Sequence, residues 1–155
     1  MEKSQVKEFL KHIQLFKELS DSQLETICEK VKVENFSANS MIFNENNIRQ
    51  NLFLIYDGEV ELFKRTPYGV EKRLSIFSRY DFLGEGALMD DSPHSTSARA
   101  TINSVIITLS RDSFRQLMKE QNETAVAILS SIGRVISRRM SAANTRVINV
   151  AAQYQ

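Results

Sequence analysis

The 155-residue chain has one cysteine, Cys28, two histidines, His12 and His94, and five glycines. A lone cysteine closes no internal disulfide, which makes a reducing cytoplasm the expected compartment. Two histidines, with His12 in an N-terminal helical pattern, build no histidine cluster on strands, so metal-dependent barrel chemistry is excluded. A Ser/His/Asp or Cys/His arrangement would have to use His94, Cys28 falls on an apolar helical face, and no phosphate loop ending in GK[ST] occurs. The chain is therefore expected not to be an enzyme, and neither a metal nor a resident cofactor is expected. No run of 18 apolar residues is present, and the start MEKSQVKEFL lacks the long apolar stretch of a signal peptide, so no membrane partner is expected. Neither sign of charge dominates: 20 basic against 19 acidic residues leave +1, without the excess usual in a nucleic-acid binder. From Arg111 onward the balance is +4 and before it −3, a basic helical end read as a solvated face.

What is present suits a globular chain: 42% apolar and 25% charged residues, in a length that buries roughly two-thirds of its unfolded surface. Residues 1–155 are read as one domain. In the lead-in, residues 1–30, Val6, Phe9, Leu10, Ile13 and Phe16 recur at helical spacing. Ser20 or Asp21 can cap a second helix carrying Leu24, Ile27 and Cys28. Residues 31–110 change character, with short apolar runs at 31–36, 40–43, 51–56, 59–65, 70–77, 97–102 and 105–109. Asp57-Gly58 and Thr66-Pro67-Tyr68-Gly69 mark tight turns between them. Alternation along 60–65 sends Leu62 and Phe63 to opposite sides. About seven short strands with frequent turns, enclosed by helices, predict an α+β chain built on a β jelly-roll barrel. Residues 111–155 return to helical period. Asn122 is expected to cap a long last helix with a seam of Leu129, Ile132, Ile136, Met140, Ala143, Val147 and Val150, suited to a homodimer or to covering its own barrel.

The stretch from Asp81 to Ala100 carries most of the chemistry. Gly84 and Gly86 let the backbone approach a ligand, and a short helical turn can begin at Glu85 or Gly86. Amides at such a turn make an anion cradle. Glu85 can accept from a sugar hydroxyl, and Ser95 and Ser97 add hydroxyls on the returning strand.

This segment, residues 82–98, resembles the phosphate-binding cassette of cyclic-nucleotide-binding domains, found in catabolite-activator-type regulators, cyclic-nucleotide-dependent kinases and gated channels. The resemblance extends to the lead-in Phe9-Leu10-Lys11…Leu15-Phe16…Leu19-Ser20. It also takes in Ile42-Phe43-Asn44-Glu45, Leu54-Ile55-Tyr56-Asp57-Gly58-Glu59-Val60, and the last helix around Arg138-Arg139-Met140. It implies a ligand, cyclic AMP or cyclic GMP. Gly84 shapes the turn, Glu85 takes the ribose 2′-hydroxyl, and the amides of Gly86, Ala87 and Ser95 hold the phosphate. Ser97 touches base or phosphate, and the helix from Arg139 to Asn144 forms a lid.

The sequence departs from the family's pattern at the arginine that pairs with the phosphate, which here falls on His94. Loss of a charge-assisted contact costs about 1.5–3 kcal/mol. Arg99, the nearest arginine in sequence, is expected on the surface. Asn46-Asn47 and Tyr80 stand at usual glycine positions, and Gly86 at a usually apolar one. The resemblance thus implies a stand-alone, bacterial-type regulatory module that senses a cyclic nucleotide and signals by movement of its C-terminal helix. The alternative is a degenerate scaffold that binds neither nucleotide and works as a protein-interaction adaptor, or binds another nucleotide such as a cyclic dinucleotide. A further idea is proton sensing, with His94 restoring the charge and affinity rising from pH 8 to pH 6. With four residues after Ala151, no helix-turn-helix module and no DNA partner are expected.

Overall fold

The computed structural model describes residues 1–152, so Gln153, Tyr154 and Gln155 lie outside the described residues, as do the side chains of Val150 and Ala151. The expected seam position Val150 therefore has no described contacts. Helix α1 (Lys3–Lys11) buries Val6, Phe9 and Leu10. It stops at His12, short of the helical pattern's end at Phe16, and the chain makes a 3₁₀ turn at Gln14–Phe16. On a continued helix Ile13, Leu15 and Phe16 would fan around the axis, whereas the break turns all three into the core. Helix α2 (Asp21–Lys30) opens with a reciprocal cap: Ser20 Oγ accepts from the Gln23 amide at 3.3 Å, and Gln23 Oε1 accepts from the Ser20 amide at 2.8 Å.

Eight strands follow: β1 (Val31–Phe36), β2 (Met41–Phe43), β3 (Asn51–Asp57), β4 (Val60–Arg65), β5 (Glu71–Phe77), β6 (Phe82–Leu83), β7 (Ser97–Ala100) and β8 (Ser104–Ser110). They pair antiparallel in two sheets, β1-β8-β3-β6 and β2-β7-β4-β5. Seven of them lie where the sequence pattern puts them. Strand β6, only two residues long, is too short to show a period, and its pairing with Phe53 and Leu54 creates it.

Two apolar layers explain the strand compositions. Phe53, Ile55, Val60, Leu83, Ala98 and Ile106 fill the space between the sheets. Leu52, Leu54, Ile107 and Leu109 face the other way, onto the helices. Strands β3 and β8 are thus covered on both faces and read as continuous apolar runs. On β4, Phe63 lies on the outer side of its sheet, sheltered by the Arg99 guanidinium 4.5 Å from its ring centroid. Arg99 is spread over that outer face, paired with Glu61 at 2.6 Å and Glu71 at 2.9 Å, as the alternation with Ala98 and Ala100 predicted. Burial alone would raise the Glu61 carboxyl, but Arg99 and Arg73 outweigh it and hold Glu61 below the ordinary glutamate value.

Ser110 caps α3 (Arg111–Glu120) through the Ser113 amide at 3.1 Å. Helix α4 (Asn122–Ala152) already includes Asn122, so the expected cap moves back one residue. Gln121 takes that place: its carbonyl accepts from the Ala125 amide and its Oε1 from Thr124 Oγ1. The first turns of α4 bury Ala125, Ile128, Ile132 and Val135 in the core formed with α3 and the 3₁₀ turn at Gln14–Phe16. The expected seam therefore splits: Ile132 is covered by its own chain, whereas Ile136, Met140 and Val147 are exposed. Among the described residues no helix is long and apolar enough to cross a membrane, and no group of three or more His, Cys, Asp or Glu could hold a metal ion.

Ile132→Ala removes a fully buried side chain and is expected to cost about 2–5 kcal/mol in urea unfolding. Ser141→Ala, on the exposed half of the same helix and off its apolar stripe, is expected to stay within about 0.5 kcal/mol. Equal costs for the two would contradict this division of the helix.

Candidate functional site

The short strand β6 delivers the chain to Gly84, whose φ of +76° turns it into a 3₁₀ turn, Glu85–Leu88. A side chain at Gly84 would meet the Asn51 carbonyl at 2.8 Å, so the turn lies directly against β3. The returning loop is tied to the segment before β3. Two bonds join Asn46-Asn47 to His94: the Asn46 amide donates to the His94 carbonyl and the His94 amide to the Asn47 carbonyl, each at 2.8 Å. Asn46 has φ +71°, the left-handed conformation that asparagine tolerates in a usual glycine place.

Between these segments and α4 lies a cavity of about 480 Å³. Gly84, Glu85 and Gly86 form one wall, and His94, Ser95 and Thr96 another. Phe43 and Leu62 supply an apolar floor, Ile136 and Arg139 reach in from α4, and Arg49, Met89 and Asp90 complete the rim. Of the residues expected to bind ligand, Gly84, Glu85, Gly86, His94, Ser95 and Arg139 line this cavity. Ala87 is fully buried behind it, and its amide donates to the Gly84 carbonyl at 3.0 Å. Ser97 is not part of the wall: its Oγ accepts from the Glu45 amide at 2.9 Å. Asn144 is exposed, further along α4 than the cavity reaches.

The charges have definite partners. Arg139 Nη1 donates to Glu85 Oε1 at 2.9 Å, joining the last helix to the turn across the cavity mouth, and its guanidinium carbon stands 5.1 Å from the Phe82 ring centroid. Lys64 holds the returning loop from outside the cavity, donating to the Ser95 carbonyl at 3.0 Å and pairing with Glu45 at 3.1 Å. His94 is 7% exposed and stacks on Phe43, with ring centroids 3.8 Å apart and planes 9° from parallel. Desolvation there, reinforced by the Arg49 guanidinium, lowers the imidazole pKa from 6.5 to about 4. In the ligand-free cavity His94 is thus neutral from pH 8 to pH 6 and forms an aromatic wall. No sequence signal for Arg49 accompanied the cassette, because it lies some forty residues earlier and only folding brings it there.

A second cavity, about 350 Å³, lies between α1 and the β3 end, where Phe9, Tyr56, Tyr80 and Arg79 meet. Tyr80 has φ +72°, and its ring stacks on Phe9 with centroids 5.4 Å apart, which offsets the cost of a left-handed bulky residue.

Comparison with known proteins follows this geometry. The family model described as the cyclic nucleotide-binding domain matches residues 33–121. A CRP-like cAMP-activated global transcriptional regulator of Mycobacterium tuberculosis is 24% identical over 143 residues, 92% of this chain and 62% of that protein. A cAMP-dependent protein kinase regulatory subunit of Emericella nidulans is 31% identical over 110 residues, 71% of this chain and 26% of that protein. The chain thus spans about three-fifths of the first relative and about a quarter of the second. The crystal structure of a cyclic nucleotide-binding domain from Methylobacillus flagellatus superposes with a TM-score of 0.81 at 21% identity, covering 94% of this chain and 82% of that one, and so shares the fold.

The histidine gives a prediction with a definite sign. Its folded pKa lies below the unfolded one, so the unfolded chain takes up the proton first as pH falls. Its contribution to stability is complete above pH 6.5 and is lost between 6.5 and about 4. Urea unfolding should weaken across that window, by at most about 1.4 kcal/mol per pH unit from this group. His94→Phe, which keeps the stack on Phe43, should flatten the profile. An undiminished slope in that variant would show that His94 is not its source.

Proposed function

This chain belongs to the cyclic nucleotide-binding domain family, and we propose that residues 1–155 form a regulatory unit that binds a cyclic mononucleotide and signals through α4. Cyclic AMP is the first candidate, since both relatives above are named for it, and cyclic GMP the second. No catalytic step is assigned to the unit, and its setting is taken to be the cytoplasm.

The observation that carries the reading is the Arg139–Glu85 ion pair. It places a helix residue on the one carboxylate that lines the turn of the cavity and could accept from sugar hydroxyls. A ligand that donates to Glu85 competes with Arg139 for the same oxygens. Glu85 and Arg139 side chains are 17% and 47% exposed, so the pair belongs to the weak class, about 0.2–1 kcal/mol, and is readily exchanged. Exchange frees the part of α4 beyond Val135, which has no core packing to hold it. The switch is then a shift between a helix latched on Glu85 and a helix released or re-seated over the ligand. The apolar stripe Ile136, Met140 and Val147 on that same free half supports a homodimer formed along α4.

Calorimetric titration of refolded, nucleotide-free protein with cyclic AMP and cyclic GMP tests the reading. Saturable binding at micromolar concentrations is expected, with Glu85→Ala abolishing it and leaving the melting temperature close to the parent's. Binding by Glu85→Ala equal to the parent's would remove Glu85 from the site. Arg139→Ala should tighten binding up to about five-fold, because only the competing contact of about 1 kcal/mol or less is lost. Weaker binding would contradict displacement. For the helix, sedimentation should show a dimer for the parent and a monomer for Met140→Glu, and an unchanged mass in the variant would exclude α4 as the contact.

A further inference from the structure

We infer that the cationic contact to the ligand's phosphate is made by Arg49, from the segment before β3, lying against the backbone of Gly86. The inference rests on the cyclic-nucleotide reading above and adds to it a residue outside the cassette.

The Gly86 backbone is not in the left-handed region, so nothing in its conformation requires glycine. A Cβ there would come within 2.4 Å of Arg49 Nη1 and 3.0 Å of Cζ, so the guanidinium of Arg49 lies in the space a side chain at 86 would take and would have to move aside for one. Both residues line the cavity, as does Ser95, and among the described residues the amides of Gly86 and Ser95 donate to no backbone acceptor outside regular helices and strands. The Arg49 guanidinium and the two amides therefore line one cavity, the amides without a backbone acceptor.

Arg49 is also held in place. Its amide donates to the Ser92 carbonyl at 3.3 Å, and the neighbouring Ile48 bridges to Pro93, so Arg49 is fastened to the loop that carries His94 and Ser95. Its one ion pair is loose, 3.5 Å to Asp90 Oδ1, an oxygen that already accepts from the Ser92 amide at 3.0 Å. Asp90 is 53% exposed and steadies the guanidinium without using up its five donors.

The other cations are accounted for. Lys64 is paired with Glu45 and the Ser95 carbonyl, and Arg99 with Glu61 and Glu71 on the outer face of its sheet, while Arg139 is held by Glu85 and, in the switch proposed above, leaves with α4 when a ligand takes that carboxylate. His94 carries no charge at neutral pH. Arg49 is the cation in the cavity wall with capacity left, and a planar guanidinium can give a phosphodiester oxygen pair two parallel bonds.

The test compares the parent with Arg49→Gln, Arg49→Lys and Gly86→Ala, titrated with cyclic AMP, cyclic GMP, adenosine and inorganic phosphate. Binding is read by calorimetry and by the amide resonances of residues 84–96. Arg49→Gln should weaken cyclic-nucleotide binding about 10- to 100-fold, the loss expected for one charge-assisted contact, and leave any adenosine binding unchanged. Arg49→Lys should recover part of the loss. Gly86→Ala, which keeps the charge but moves the guanidinium tip aside, should reproduce part of it. Cyclic-nucleotide binding by Arg49→Gln equal to the parent's overturns the assignment of Arg49. If the parent binds neither nucleotide, the functional reading fails, and inorganic phosphate then decides the anion site alone. Resonance shifts at Gly86 that saturate in the parent and vanish in Arg49→Gln uphold Arg49, and their absence in the parent overturns it.

Discussion

The burial of Ala125, Ile128, Ile132 and Val135 against α3 and the 3₁₀ turn at Gln14–Phe16 fixes the axis of α4, and the position of Arg139 follows from it. A helix rises about 1.5 Å per residue, so two turns beyond Ile132 the backbone is carried past the core edge to the mouth of the cavity. The covered half supplies rigidity and the exposed half supplies freedom. Because both belong to one continuous helix, a change at Glu85 is felt along the whole exposed end. The N-terminal lead-in matters for the same reason. Leu15 and Phe16 are buried in the same core as these first turns, and the break in helix after His12 is what turns them inward.

The cavity wall holds two ion pairs, Glu85 with Arg139 and Asp90 with Arg49, and an uncharged, buried His94. The stack of His94 on Phe43 puts an aromatic wall where the family resemblance implied a charged one. That substitution is coherent with the rest of the wall. A neutral ring tolerates the desolvation that an arginine would have resisted, and Arg49 itself disfavours a second cation beside it. Positive charge is not missing from this region. It enters from the segment before β3, through space left open by the glycine at 86.

Much of the architecture was legible because its causes are local or periodic. The cap at Ser20, one of the two candidates with Asp21, the turn at Asp57-Gly58 and the apolar runs of β3 and β8 are written in adjacent residues, and the structure has them where the pattern does. The opposite faces of Leu62 and Phe63 and the outward course of Arg99 follow from the two-residue period of a strand. Where the reading went astray, tertiary contacts outweighed local preference. Asn122 is a good cap by residue type, yet α4 begins one residue sooner because Gln121 closes α3 and starts α4 at once. Ser97 has a ligand role by resemblance, and in the ligand-free structure its hydroxyl anchors the segment after β2, a contact that local sequence does not announce.

By itself the sequence determined the family, the jelly-roll framework, the helices that flank it and the turn that carries Glu85, since each depends on residue order over a few positions. Only the tertiary structure decided the electrostatics of the cavity. Arg49 and Gly86 are separated by most of the barrel in the chain and become neighbours when β3 and β6 pair, and the state of His94 depends on burial that no local pattern encodes. Which half of α4 is free is likewise set by where its own chain ends its cover. Spacing along a chain can specify a surface and a turn, but a charge acquires its partner, and a histidine its proton affinity, only from what folding brings within a few ångströms of it.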